Sequence, residues 1–276
     1  MRIVSANKIR QVVSDLCVQA NLVLRNDVLQ QLKRAYLDEA KDAARDILEA
    51  MIKNAEIARL EKLAICQDTG MPCVFVEIGE NVKISGDIKE AINKGIERGY
   101  KEAYLRNSVI ADPLTRGTAW YSPAVIHFDF IKGSKIKLTV FPKGFGCENK
   151  TRLKMFNPTV PLEEIKRFII AVVKSAGPDA CPPYVVGVGI GGTADYACFL
   201  AKKALLRKVH GSKFTVHKLE KELFREINKL NIGPMGLGGK TTCLGVNIET
   251  FPTHIAGLPV AVNISCHALR SAGKTI

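Results

Sequence analysis

Three cysteines stand in settings that could do chemistry. Cys66 opens the run Cys66-Gln67-Asp68-Thr69-Gly70. Cys181 is followed by Pro182-Pro183 and then by Gly187-Val188-Gly189-Ile190-Gly191-Gly192-Thr193, and Cys266 lies within Ser265-Cys266-His267. They are 115 and 85 residues apart. A zinc ribbon pairs its cysteines two residues apart and a bacterial ferredoxin runs them close together, so widely spaced single cysteines suggest ligands carried in from separate loops. Three thiolates would hold an iron–sulfur cluster and leave one iron without a protein ligand. An open metal position is a place for chemistry.

Two glycine-rich segments invite a nucleotide reading. Residues 233–242, Gly-Pro-Met-Gly-Leu-Gly-Gly-Lys-Thr-Thr, resemble a phosphate loop, but that motif needs glycine six positions before its lysine, and Pro234 stands there. A helix precedes this segment and a strand follows it, the reverse of the required order. ATP binding is rejected. Gly187, Gly189 and Gly192 satisfy the bare dinucleotide pattern, yet no acidic residue ends a second strand at the required spacing, because residues 201–216 read as helical and basic. Close backbone approach to a cluster or small ligand explains these glycines equally well.

The elements that must position such residues are legible from periodicity. Residues 1–63 read as helices: Ile9, Val12, Val13 and Leu16 recur at helical spacing, Asn26 can cap a second segment, and Ala44 to Leu60 mark a third. Residues 74–78 form a short strand and 87–105 a helix. Residues 124–130 and 135–141 alternate well around Lys132-Gly133-Ser134 and predict a hairpin. A helix over 162–175 ends before Gly177-Pro178. A strand over 184–188 leads into a helix over 193–207, a further helix covers 217–230, and strands over 243–248 and 258–264 close the chain. The pattern predicts an α/β (mixed α+β) fold, a mixed sheet covered by helices, in one domain over 1–276: a helical N-terminal layer over 1–63 and a cluster-binding part over 64–276.

With 276 residues, 47% hydrophobic and 24% charged, the composition is that of a soluble globular protein with ample core. No apolar run reaches the roughly 20 residues of a membrane helix, and Met1 to Lys8 lack the apolar core of a secretory signal. The expected compartment is the cytoplasm, with no membrane. Eight cysteines could suggest disulfides, but so long and apolar a chain needs none; Cys17 and Cys198 sit in amphipathic helical patterns and read as packing residues. The net charge of +13 raises a nucleic-acid reading, yet basic residues alternate with acids, as in Lys218-Leu219-Glu220-Lys221-Glu222. The expectation is no nucleic-acid partner; the charge reads as a lysine- and glutamate-rich thermophile surface, or as a positive field that draws anionic substrates and an acidic partner chain.

The block Cys66-Gln67-Asp68-Thr69-Gly70 resembles the signature of the iron–sulfur hydro-lyases that include class I fumarate hydratase (fumarase) and L(+)-tartrate dehydratase. Leu105-Arg106-Asn107-Ser108-Val109 and Pro142-Lys143-Gly144-Phe145-Gly146-Cys147-Glu148-Asn149-Lys150 continue the resemblance. Cys181-Pro182-Pro183-Tyr184 with Ile190-Gly191-Gly192-Thr193, then Gly238-Gly239-Lys240, Pro252-Thr253-His254 and Cys266, complete it in order. The resemblance implies a four-iron, four-sulfur (4Fe-4S) cluster on Cys66, Cys181 and Cys266. It implies that Gln67, Asp68, Arg106, Gly144 and Gly146 touch a small dicarboxylate substrate, and that Asp68 and His254 are catalytic. The family loop often reads Lys-Gly-Gly-Gly; Phe145 at its middle position departs from that pattern, which puts the local backbone contact and substrate choice in question. Two-subunit members complete the site with a separate β subunit, so this chain resembles an α subunit of an αβ or α2β2 assembly.

Dehydrating a 2-hydroxy acid needs removal of a weakly acidic C–H proton and departure of a poor hydroxyl leaving group. An open iron can polarise the C–O bond, Arg106 can fork a carboxylate, and Asp68 and His254 can orient or relay protons, the main base being expected on the partner. Fumarate hydratase is the expected activity and tartrate dehydratase the rival, differing by one substrate hydroxyl. A structural zinc protein and a basic nucleic-acid-binding protein are the readings from other classes. Cys73, Cys147 and Cys243 read as packing residues, and His127, in an alternating strand, as structural.

Overall fold

The computed structural model describes residues 1–209 and 216–276. Strand β1 (Arg2–Ser5) leads into α1 (Ala6–Leu22), α2 (Asn26–Asp38) and α3 (Asp42–Glu61). Then come β2 (Met71–Gly79), β3 (Val82–Ser85), α4 (Ile88–Glu102), β4 (Val109–Asp112), β5 (Arg116–Trp120), β6 (Val125–Ile131) and β7 (Ile136–Lys143). The short α5 (Phe145–Glu148) and β8 (Arg152–Phe156) precede α6 (Leu162–Ala176), β9 (Tyr184–Gly192) and α7 (Ala194–Ala204). Helix α8 (His217–Asn228) and strands β10 (Cys243–Thr253), β11 (Leu258–Ser265) and β12 (Ala272–Thr275) follow. The expected mixed α/β fold is what forms. The helical reading of 201–216 ends at Ala204, and residues 210–215 lie outside the described residues. No helix among the described residues is long and apolar enough to cross a membrane.

By its contacts the chain forms two compact units. Met1–Arg25, Ala55–Phe145 and Arg270–Ile276 make the first, and Asn26–Asn54 with Gly146–Leu269 make the second. Of residues 1–63, Met1–Arg25 and 55–63 belong to the first unit and Asn26–Asn54 to the second. The chain begins with a strand, β1, paired in parallel with β3. Ser5 caps α1 by accepting the Lys8 N–H at 3.3 Å.

In the first unit a four-stranded sheet runs β12-β7-β2-β6. Ile9, Val12, Val13 and Leu16 of α1 pack with Ile92 and Ile96 of α4 against Val74 and Val76 of β2 and Leu138 and Val140 of β7. The strands expected at 124–130 and 135–141 are present, but the hairpin is not. Strand β2 lies between them, parallel to β6 with Val74 opposite Ile126, and antiparallel to β7 with Val74 opposite Val140. The reason is burial on both faces of β2, which suits a central strand and not an edge. Residues 133–135 instead bond to the turn after β2, Gly79 N–H to the Lys135 carbonyl at 2.9 Å and Asn81 N–H to the Gly133 carbonyl at 3.0 Å. Alternation identifies a strand's faces, not its neighbour.

The second unit is built on the sheet β10-β9-β11-β8. Strand β9 is central, parallel to β10 and antiparallel to β11. Its even positions, Val186 and Val188, join Ile169 and Val173 of α6 and Leu223 and Ile227 of α8 in one core. After Val185 its odd positions, Gly187, Gly189 and Gly191, are glycines on the other face. A Cβ at Gly187 would lie 2.1 Å from the Ala201 carbonyl, and one at Gly189 2.1 Å from the Ala197 carbonyl. Both glycines therefore exist to let α7 lie directly on the strand, which accounts for the dinucleotide-like spacing without a ligand.

Candidate active site

In the first unit the loop from Ile65 to Gly70 is held at nearly every residue. Ile65 N–H donates to the Asn21 carbonyl at 3.0 Å. The Tyr100 hydroxyl, fully buried at the end of α4, donates to the Thr69 carbonyl at 3.0 Å. Burial pushes the Tyr100 phenol well above its ordinary range, so the group stays a donor. Thr69, also buried, accepts the Arg106 N–H on Oγ1 at 3.1 Å, which fixes the backbone of Arg106 while its side chain is exposed.

The Asp68 carboxylate is oriented by two backbone donors. Oδ1 accepts the Gly70 N–H and Oδ2 the Phe145 N–H, each at 2.9 Å. A Cβ at Gly144 would stand 3.1 Å from Oδ2, so glycine leaves room for this approach. The Arg270 guanidinium donates from Nη2 to the Asp68 carbonyl. Gln67 is exposed. The fold thus gathers Cys66, Gln67, Asp68, Arg106 and Gly144 into one neighbourhood of the first unit.

In the second unit Cys181 and Cys266 come together. Cys181 precedes β9 and Cys266 follows β11, and antiparallel pairing sets Ser265 opposite Val185. The Cys181 carbonyl accepts the His267 N–H at 3.4 Å and lies 3.1 Å from His267 Nδ1. Cys181 has φ +56°, the left-handed region that a side-chain-bearing residue occupies at a cost of about 1–3 kcal/mol. Residues 233–242 pack on the same loop, Met235 N–H donating to the Pro182 carbonyl at 2.9 Å. The N–H groups a phosphate would need are spent within the protein: Gly239 N–H on Asn231 Oδ1 at 3.0 Å, Lys240 N–H on Glu39 Oε2 at 2.8 Å and Gly238 N–H on the Ile232 carbonyl at 2.8 Å. That agrees with rejecting a phosphate loop.

Gly146 also lies in the second unit, exposed, with the Asp179 carbonyl the nearest atom to a Cβ placed there, at 4.0 Å. His254 follows β10 at the opposite end of the sheet from Cys181 and Cys266, since Thr253 pairs with Gly192 whereas Ser265 pairs with Val185. Across the nine residues of β9 this is about 25 Å. The side chain of His254 is exposed, and its Nδ1 accepts the Ala256 N–H at 3.2 Å.

Cysteine burial separates the eight thiols. Cys17, Cys73, Cys147 and Cys243 are buried, whereas Cys66, Cys181, Cys198 and Cys266 are half-buried. Burial pushes the Cys243 thiol up to about 12, the Cys17 thiol higher still, and the Cys198 thiol upward as well. Cys147 donates to the Ala180 carbonyl at 3.3 Å and is buried, as expected of a packing residue. Among the described residues no three His, Cys, Asp or Glu side chains form a group that could hold a metal ion. The donor type suits an iron–sulfur group: the loop thiols of Cys66, Cys181 and Cys266 are half-buried, as is Cys198 on α7, while the other four are packed away.

Sequence reasoning missed the residues that hold the loops: Asn21, Tyr100 and Arg270 around Asp68, and His267 beside Cys181. The Ser-Cys-His run signals His267. Tyr100 and Asn21 sit within ordinary helical patterns, and nothing but proximity to Cys266 in sequence marks Arg270.

The chain matches the model of the fumarate hydratase (Fumerase) family over residues 10–275. It is 44% identical to a Methanocaldococcus jannaschii protein provisionally named L(+)-tartrate dehydratase subunit alpha, over 98% of this chain and 98% of the relative. It is 29% identical to the L(+)-tartrate dehydratase subunit alpha of Escherichia coli strain UTI89, over 96% of this chain and 90% of that one. The protein of the same name from Shigella boydii serotype 4 gives the same figures, 29%, 96% and 90%.

Proposed function

Because the chain belongs to the fumarate hydratase (Fumerase) family, we propose that it is the α subunit of a hydro-lyase that interconverts (S)-malate with fumarate and water. The observation that carries this reading is the Thr69 clasp. It ties Arg106, a cation suited to a carboxylate, to the turn that orients Asp68 two residues after Cys66.

When bound by the thiolates of Cys66, Cys181 and Cys266, a 4Fe-4S cluster would supply a Lewis acid that weakens the substrate's C–O bond. The chain's own residues do the rest of its share. The exposed Arg106 guanidinium takes one substrate carboxylate by paired N–H donors, and the Gln67 amide adds a further polar contact. Backbone at Gly144 and Gly146 approaches the ligand where a side chain would intrude. The Asp68 carboxylate, already turned by two N–H donors, keeps lone pairs for the proton of the substrate hydroxyl. We leave His254 outside this constellation, because the sheet sets it at the far end from Cys181 and Cys266.

Both E. coli and S. boydii relatives are named as subunit alpha, which supports a β subunit that completes the site and carries the main base, in an αβ or α2β2 assembly. A second reading, L(+)-tartrate dehydratase, is favoured by those same names. Phe145 speaks for malate: it is half-exposed, its N–H is bound to Asp68, and an apolar ring gives nothing to a second substrate hydroxyl. An apolar contact discriminates against an added hydroxyl by at most about a hundredfold.

Anaerobic reconstitution, with iron and sulfide analysis and then assays on malate and tartrate with and without the β chain, tests the proposal. Roughly four iron and four sulfide per chain, with turnover only beside the partner and malate preferred, supports it. Preference for tartrate moves the assignment to the second reading. Absence of iron and sulfide rejects the hydro-lyase cluster.

A further inference from the structure

Arg270 is 3% exposed, and its Nη2 donates to the carbonyl of Asp68, 202 positions away in sequence. Among the described residues its buried Nε finds no acceptor. A buried guanidinium is costly to desolvate, and a neutral donor suffices to brace a carbonyl, as the Tyr100 hydroxyl does one residue further on. A charge-assisted bond is roughly twice as strong as a neutral one and tolerates less displacement of its acceptor. The residue it grips is the one whose two carboxylate oxygens reach in different directions, Oδ1 to Gly70 and Oδ2 to Phe145. A shift of the Asp68 backbone by a few tenths of an ångström would break one of those bonds or the other.

We propose that Arg270 is a positioning residue for Asp68. It clamps the Asp68 carbonyl, so that the carboxylate is presented to substrate in one orientation, without touching substrate itself. The catalytic part of this statement rests on the hydro-lyase reading. The clamp does not, and the two are tested separately.

The first arm is amide hydrogen exchange on the full chain, comparing Arg270→Met and Arg270→Lys with the parent. Arg270→Met is expected to speed exchange at Gly70 and Phe145 about tenfold or more, with β2 and β7 unchanged and Arg270→Lys intermediate. The second arm is turnover of malate and tartrate by the same variants assembled with the β subunit. Arg270→Met is expected to lower kcat about tenfold to a hundredfold with KM within about threefold, and Arg270→Lys to recover part of kcat. Unchanged exchange at Gly70 and Phe145 overturns the clamp. Faster exchange throughout β2 and β7, with lysine no better than methionine, also overturns it by reducing Arg270 to a core prop. A raised KM with kcat unchanged overturns the positioning role, because that pattern belongs to a residue that binds substrate. Should the parent assembly turn over neither substrate, the hydro-lyase reading fails while the exchange arm still decides the clamp.

Discussion

Phe145 donates its backbone N–H to Oδ2 of Asp68 at 2.9 Å across 77 positions of sequence, while the other carboxylate oxygen is taken by Gly70. Both oxygens thus face donors. Asp68→Asn replaces one acceptor with an NH2 group, which must oppose an N–H whichever way the amide turns. The expected loss is about 1–3 kcal/mol of stability, measured by urea denaturation. In the assembled enzyme we expect kcat to fall by about a hundredfold. Full activity in Asp68→Asn would remove Asp68 from the reaction.

Thr69 is the link from this turn to Arg106, since its buried Oγ1 accepts the Arg106 N–H at 3.1 Å. Thr69→Val keeps shape but leaves that N–H without its acceptor. We expect a cost of about 1–2 kcal/mol and, because the guanidinium loses its anchor, a KM raised about tenfold with a smaller change in kcat. A reversed pattern, with kcat falling at constant KM, would mean that Arg106 serves the transition state rather than binding.

The Cys66–Gly70 and Cys181–Tyr184 blocks stand out in the sequence by their cysteine, glycine and proline content, and the helices and strands were readable from their periods. Three things were not. The partner of a strand is set by which strand can be buried on both faces, and only the fold shows β2 standing between β6 and β7. The split of residues 1–63 between units falls after Arg25 and again within α3, at Ala55, and no sequence period marks either place. The supports of the site, Tyr100 and Arg270, act through backbone carbonyls of other residues, and a carbonyl has no letter in the sequence. Gly187 and Gly189 show the converse. Their spacing was plain, but its reason is the approach of α7, which a sequence pattern cannot tell from the approach of a phosphate.

That reason is testable. At Gly187 or Gly189 an alanine Cβ would meet a helix carbonyl at 2.1 Å, and neither atom is at the end of a flexible side chain. Helix α7 must then lift from the sheet, and we expect each substitution to cost about 1–3 kcal/mol, read from the shift in urea midpoint. Unchanged stability in Gly187→Ala or Gly189→Ala would return these glycines to a ligand-binding role.

The buried thiols make a prediction that needs neither cluster nor substrate. Burial raises Cys243 from an ordinary 9.0 to about 12 and raises Cys17 too. Below 9.0 the folded and unfolded chains both hold these protons. Above it the unfolded chain ionises first, so unfolding releases protons and stability falls as pH rises from 9.0 towards about 12. Cys243→Ala should flatten that decline, measured as the urea midpoint against pH. In the native, metal-free chain, alkylation should reach Cys66, Cys181 and Cys266, and more slowly Cys198, while Cys17, Cys73, Cys147 and Cys243 stay unmodified until the protein unfolds. Cluster assembly should then protect the first three and leave Cys198 reactive. Protection of Cys198 in place of any one of them would reassign a ligand, because a half-buried thiol that is not bound to iron has no reason to be silenced.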